Sequence, residues 1–161
     1  RSMVGFKNMD IDAHPGVDFV GDVSDLSQFE SESVHEIFAS NILEHFPHVR
    51  TIEVLKEWNR VLVPGGILYL SVPDFKRAVE IYLKKGLENW TQNFICGDQI
   101  YPTAYHYAIF DENRLRELCL FSGFSEFSVV GVLPNAAPND CSSLKSNFDW
   151  KLVCLNAVVV K

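Results

Sequence analysis

With 161 residues, 47% apolar and 22% charged side chains and a formal charge of −7, the chain has the make-up of a single soluble globular domain. A domain of this size buries roughly 70% of the surface its unfolded chain exposes, enough for one ordinary core. The acid excess excludes a nucleic-acid partner, whose phosphates require a lysine and arginine footprint, and no apolar run nears the roughly 18 residues of a membrane span. Cys96, Cys119, Cys141 and Cys154 form no C-x-x-C pair, so neither a zinc ribbon nor a redox dithiol is signalled. Free thiols in a reducing, cytoplasmic compartment are expected. The N-terminal residues carry no basic segment followed by an apolar core, and Arg1 and Ser2 ahead of Met3 read as a cloning remnant.

In chain order, Lys7 to Ile11 and Val17 to Val20 are short runs bounded by Asp, Pro and Gly, the punctuation of strands. Asp22 to Ser33 reads as a polar loop with a turn of helix, and His35 to Ala39 as a third strand. Pro47 suits the first turn of a helix in which Val49, Ile52, Leu55, Trp58 and Leu62 recur at three- and four-residue steps. Pro64, Gly65 and Gly66 stop that helix. Ile67 to Val72 is too apolar to be half exposed, so it is expected as a central strand covered on both faces.

Asp74 is placed to cap a helix with Phe75, Ala78, Val79 and Tyr82 on its inner face, ending at Gly86. Residues 87–110 hold Trp90, Phe94, Tyr101, Tyr105, Tyr107 and Phe110 among turn residues, as a lid or a loop packed by its own aromatics would. Asp111 caps a further helix with Leu115, Leu118 and Cys119 inward and Gly123 closing it. Phe127 to Leu133 and Val153 to Val160 then read as two strands joined by a Pro- and Asn-rich connection. Alternating strands and helices followed by a strand pair make an α/β fold, one domain over residues 1–161.

The path from Phe6, Asn8, Asp10 and Asp12 through Val17, Asp18 and Asp22 to Leu43, Glu44, His45, Glu57, Trp58, Arg60, Val61, Leu62, Pro64, Gly65, Gly66, Val72, Pro73 and Asp74, with Gly123 and Phe124 later, resembles the class I S-adenosylmethionine-dependent methyltransferases. The Arg-Val-Leu-x-Pro-Gly-Gly segment before an apolar strand is the most specific part. The resemblance implies a Rossmann-like methyltransferase sheet, mostly parallel with an antiparallel C-terminal edge. That family opens with a strand and a Gly-x-Gly loop, and nothing before Gly5 matches them, so the first strand is expected to be missing. Either direct closure of the resulting gap or pairing with a second chain, as in a homodimer, follows as an expectation.

The resemblance also implies S-adenosylmethionine as cofactor and assigns its contacts. Asp10 matches the acid that accepts the two ribose hydroxyls, Ile11 lies against the adenine, Asp22 receives the adenine amino group, Val23 donates from its backbone, and Asn41 lies near the methionine portion. Asp10 and Asp22 also suit plain turn roles. The link between Asp10 and Val17 is shorter than the crossover of about a dozen residues that a parallel pair normally needs, so an extended link or an antiparallel hairpin is expected; a hairpin would send the two acids to opposite ends.

Methyl transfer from a sulfonium needs alignment and exclusion of water, with a base only for a hydroxyl or protonated amine acceptor. His45 and His106 are the candidates for that base, and Tyr101, Tyr105 and Trp90 for the acceptor wall; His106 also suits a packed position within an aromatic lid. Glu44, His45 and His48 invite a metal reading, but Pro47 breaks the local geometry and no third ligand lies near in sequence, so no metal is expected. The function implied is methyl transfer to a small-molecule or sugar-containing acceptor. The alternative is a methyltransferase-like binding or assembly domain that has lost its cofactor.

Overall fold

The computed structural model describes residues 5–134, 136, 140–146, 149 and 151–161, with the side chain of Cys141 also left undescribed; the cloning-remnant reading of the first residues and part of the Pro- and Asn-rich connection fall outside them. The first strands, β1 (Met9–Asp10) and β2 (Phe19–Val20), are two residues each and form a sheet of their own. They run parallel, Met9 opposite Phe19 and Asp10 opposite Val20, so the hairpin is not formed.

The short link succeeds because so little strand has to be retraced, and because side chains replace missing ladder bonds. Asn8 N–H donates to the Asp18 carboxylate at 2.9 Å, its side-chain amide to Gly16 carbonyl at 2.9 Å, and its own carbonyl accepts from Asp18 and Phe19 N–H at 2.8 and 3.0 Å. The chain reverses at His14–Val17 through Gly16, whose φ of +97° suits glycine.

The second sheet contains β3 (Val34–Ser40), β4 (Leu62–Pro73), β5 (Glu126–Val130) and β6 (Cys154–Val160) in the order β3-β4-β6-β5. β3 is parallel to β4, while β6 is antiparallel to both β4 and β5. Three strands therefore point one way. The reversed strand is inserted between two of the others, with β5 outermost. Flanked on both sides, β4 is buried almost throughout from Leu68 to Pro73, as its apolar run requires. It also takes in Pro64, Gly65 and Gly66, which sit in the irregularity between the Val34–Leu62 and Glu36–Ile67 pairs rather than in a separate loop. A Cβ at Gly66 would lie 2.8 Å from Val63 carbonyl.

Helix α1 (Thr51–Val61) buries Val54, Leu55, Trp58 and Val61. Ile52, Leu55, Trp58 and Leu62 lie on the core as expected, whereas Val49 precedes the helix and is 68% exposed, because the helix starts after the Pro47 turn. Asp74 caps α2 (Phe75–Lys85) by accepting from Lys76 N–H, and Gly86 ends it at φ +77°. Ala78, Ile81 and Arg77 are its buried residues; Val79 and Tyr82 face outward, contrary to expectation. A helix the sequence pattern did not reveal, α3 (Asn89–Cys96), packs against α2. Asp111 caps α4 (Glu112–Phe121), with Leu115, Leu118 and Cys119 inward as expected.

β1 shares no ladder with β3, so direct closure is not achieved, and among the described residues no strand pairs with the outer edge of β3. The two sheets meet through side chains instead: Phe6 stands edge-on to Phe38 at 6.4 Å and Met9 packs on the main core. Among the described residues Cys96 and Cys119 are free thiols, Cys119 pushed up to about 12 by burial, and no helix is long and apolar enough to cross a membrane.

Candidate functional site

Parallel pairing of β1 and β2 brings Asp10 and Asp22 to the carboxyl ends of adjacent strands. Asp10 Oδ1 accepts from Asp12 N–H at 3.0 Å and Oδ2 lies 3.2 Å from His14 Nε2. The Asp12 bond holds the Asp10 carboxyl below its ordinary value against partial burial, with His14 helping, and His14 is raised in return. His14 was not among the candidates; a histidine four residues from an acid across a turn is a weak sequence signal. Ile11, beside Asp10, is 54% exposed. Asp22 is exposed and accepts from Ser24 N–H at 2.8 Å, again a local turn.

The loop after Asp22 is fastened to α1. Trp58 Nε1–H donates to Val23 carbonyl at 2.8 Å, and Glu57 accepts Leu26 N–H at 3.0 Å while forming a two-pronged pair with Arg60 at 2.8 Å on each arm. Arg60 also donates to the Leu26 and Phe29 carbonyls at 3.0 and 3.2 Å. Glu57 and Arg60, which the helical pattern leaves on the polar face, thus hold the loop at Leu26 and Phe29, while Trp58 holds it at Val23.

A second group lies at the carboxyl ends of β3 and β4. Asn41 takes the left-handed conformation at φ +52°, which asparagine tolerates, and its N–H donates to Ser71 carbonyl at 2.9 Å. Ser40 Oγ donates to Asp140 at 3.0 Å, so part of the β5–β6 connection reaches this rim, a contact one hundred residues apart in sequence and invisible to motif reading.

A 3-10 turn at Leu43–His45 follows, with Glu44 and Leu43 fully buried. Glu44 carbonyl accepts from Tyr107 and Ala108 N–H at 2.8 and 3.2 Å, while His45 Nδ1 lies 3.0 Å from Tyr105 carbonyl. These bonds pin the segment after α3 onto the turn and set His106 beside His45, ring centroids 4.9 Å apart and nearly perpendicular at 78°. His106 Nδ1 lies 3.1 Å from Phe94 carbonyl. Burial and the neighbouring His45 lower the His106 pKa, and burial pushes the Glu44 carboxyl up to about 8.

The same turn leaves His48 on the exposed side, its carbonyl accepting from Thr51 Oγ at 3.0 Å. Trp90 is not a free wall: it stacks on Phe94 at 5.2 Å and packs with Ile81 and Val153. Tyr101 and Tyr105 are exposed, Tyr105 stacking on Tyr107 at 6.0 Å. His106 borders an apolar crevice with Pro73, Phe75, Phe94 and Ala108.

Residues 3–70 match the family described as a methyltransferase domain. In structure the chain is similar to a SAM-dependent methyltransferase from Archaeoglobus fulgidus (TM-score 0.59, 11% identity, covering 91% of this chain and 68% of that one). The fold is that of a class I S-adenosylmethionine-dependent methyltransferase. Two further solved methyltransferases support this: one from Methanosarcina mazei (TM-score 0.58, 20% identity, 95% of this chain and 80% of that one), and the 1,6-didemethyltoxoflavin-N1-methyltransferase of Burkholderia thailandensis, solved with 1,6-didemethyltoxoflavin and S-adenosylhomocysteine (TM-score 0.57, 16% identity, 95% and 59%). No curated protein matches in sequence. This methyltransferase fold spans 68% of the archaeal chain and 59% of the Burkholderia one, so these relatives are longer proteins.

Proposed function

We propose that the chain is the core of an S-adenosylmethionine-dependent methyltransferase acting on a small-molecule or sugar-containing acceptor. The observation that carries this reading is the parallel pairing of β1 and β2, which puts Asp10 and Asp22 after adjacent strand ends, where open α/β sheets take their ligands. The donor set suits a nucleoside. Asp10 keeps acceptor capacity beyond its Asp12 and His14 contacts for a vicinal diol, exposed Ile11 offers an apolar face for a base, and Asp22 retains an oxygen for an amino group. Val23 N–H and Asn41 complete the proposed contacts.

S-adenosylmethionine, when bound, supplies a methyl group already activated on a sulfonium. What this chain has to add is position and dryness. The Glu57–Arg60 pair and Trp58 fix the loop bearing Asp22, and the segment 105–108 fixes the histidines. For a hydroxyl or ammonium acceptor, His45 or His106 takes the proton at Nε2, since each Nδ1 faces a backbone carbonyl and so carries its hydrogen. Exposed Tyr101, Tyr105 and Tyr107 offer flat faces to a ring-shaped acceptor.

Calorimetric titration with S-adenosylmethionine tests the proposal: saturable binding by the folded chain, weakened tenfold or more by Asp10→Ala, is the expected result. Absence of binding by a folded chain favours the second reading, a binding or assembly domain, which the edge of β3, unpaired among the described residues, supports by offering a ladder to a second copy. A dimeric mass in solution accompanies that outcome.

A further inference from the structure

We infer that Glu44, His45 and His106 form a binding site for a first-row divalent cation, with zinc or cobalt as its probes, at the carboxyl ends of β3 and β4. One carboxylate oxygen of Glu44 and one ring nitrogen of each histidine all lie within 4.8 Å of one another, the one such grouping among the described residues. Ligands at about 2.1 Å from a tetrahedral zinc stand roughly 3.4 Å apart, so small side-chain adjustments close the set.

Two independent features point to a cation. First, Glu44 is fully buried and neither carboxyl oxygen has a hydrogen-bond partner; Asn41 and the residue's own backbone offset its burial only in part. Buried carboxylates are normally paired, hydrogen-bonded or metal-bound, and a lone one is costly. Second, His45 and His106 each direct Nδ1 at a main-chain carbonyl, Tyr105 and Phe94 respectively. A carbonyl only accepts, so Nδ1 carries the hydrogen and Nε2 holds the free lone pair, the outer-shell arrangement that orients metal-ligating histidines.

The frame is rigid as well. Glu44 supplies a ligand from its side chain while its carbonyl receives Tyr107 and Ala108 N–H, which locks the two contributing segments to each other. Two imidazoles and one carboxylate suit zinc, cobalt, iron or manganese rather than magnesium or calcium, and three protein ligands leave at least one position open. Binding releases the Glu44 proton to solvent and changes no oxidation state. The inference rests on this geometry alone and holds whether or not the chain transfers methyl groups; with a cation bound, both Nε2 lone pairs are taken and the histidines act as ligands instead of bases.

The test uses tag-free, chelator-treated protein at neutral pH with no cofactor present. Titration with Zn²⁺ is expected to give one equivalent bound and a melting temperature that rises with cation concentration. The His45→Ala/His106→Ala double variant is expected to lose at least a hundredfold in affinity, and Glu44→Gln at least tenfold, with circular dichroism reporting the fold of each. Because the variants risk unfolding, X-ray absorption of the wild-type Co²⁺ complex supplies an independent count, with two imidazoles expected. Absence of stoichiometric binding by the folded wild type, undiminished binding by a folded double variant, or fewer than two imidazoles around cobalt overturns the site.

Discussion

Asp10 shows how one side chain can serve a turn and a ligand at once. Its carboxylate is held by Asp12 N–H and His14, which fixes its direction without exhausting its lone pairs. His14→Ala is therefore expected to leave the fold intact and weaken cofactor binding less than Asp10→Ala does, as comparative titration will show. Glu57 illustrates the opposite case, a polar-face residue with a structural task. Glu57→Ala leaves Leu26 N–H and the Arg60 guanidinium without their acceptor and is expected to cost about 1–3 kcal/mol in urea unfolding. The sequence placed Glu57 on the correct helix but could not show what faced it, because Leu26 lies in a loop with no periodicity.

Helix caps were legible: Asp74 and Asp111 stand where their side chains accept the first free N–H groups. Helix α3 was not, since Trp90 and Phe94 share a face by spacing but sit among turn residues that hide it. Its end depends on Gly97, where φ is +78° and an added Cβ would lie 1.9 Å from Ala104 carbonyl oxygen. Gly97→Ala is thus expected to lift the segment carrying His106 off α3, lowering the melting temperature and exposing residues 97–108 to limited proteolysis. Helix α2 is tied down by buried Arg77, which bonds Glu80, Ser146 and Asp149. Although desolvation opposes it, Ser146, Arg77 and Lys151 N–H together bring the Asp149 carboxyl down to about 2. A depressed carboxylate contributes stability above the ordinary range near 4 and loses it as pH falls through its folded value, so Asp149→Asn is expected to flatten the acid limb of the stability profile between about pH 4 and 2.

Across the whole molecule, the hydrophobic core is continuous beneath α1, α4 and the four-stranded sheet, while β1 and β2 form a separate ladder. Leu70, fully buried at the centre of β4, is expected to cost about 2–5 kcal/mol when changed to alanine, measured by chemical denaturation. The amino-acid pattern by itself determined the class of fold, the strands β3 to β6 to within a residue or so apart from the start of β4 and the end of β5, and the capped helices, because period and punctuation are local properties of the chain. Tertiary structure alone decided the parallel course of β1 and β2, the rotated face of α2, and the meeting of Glu44 and His45 with His106. Those depend on which backbone groups find partners across long separations, and a motif scan carries no record of a hydrogen bond between residue 44 and residue 107.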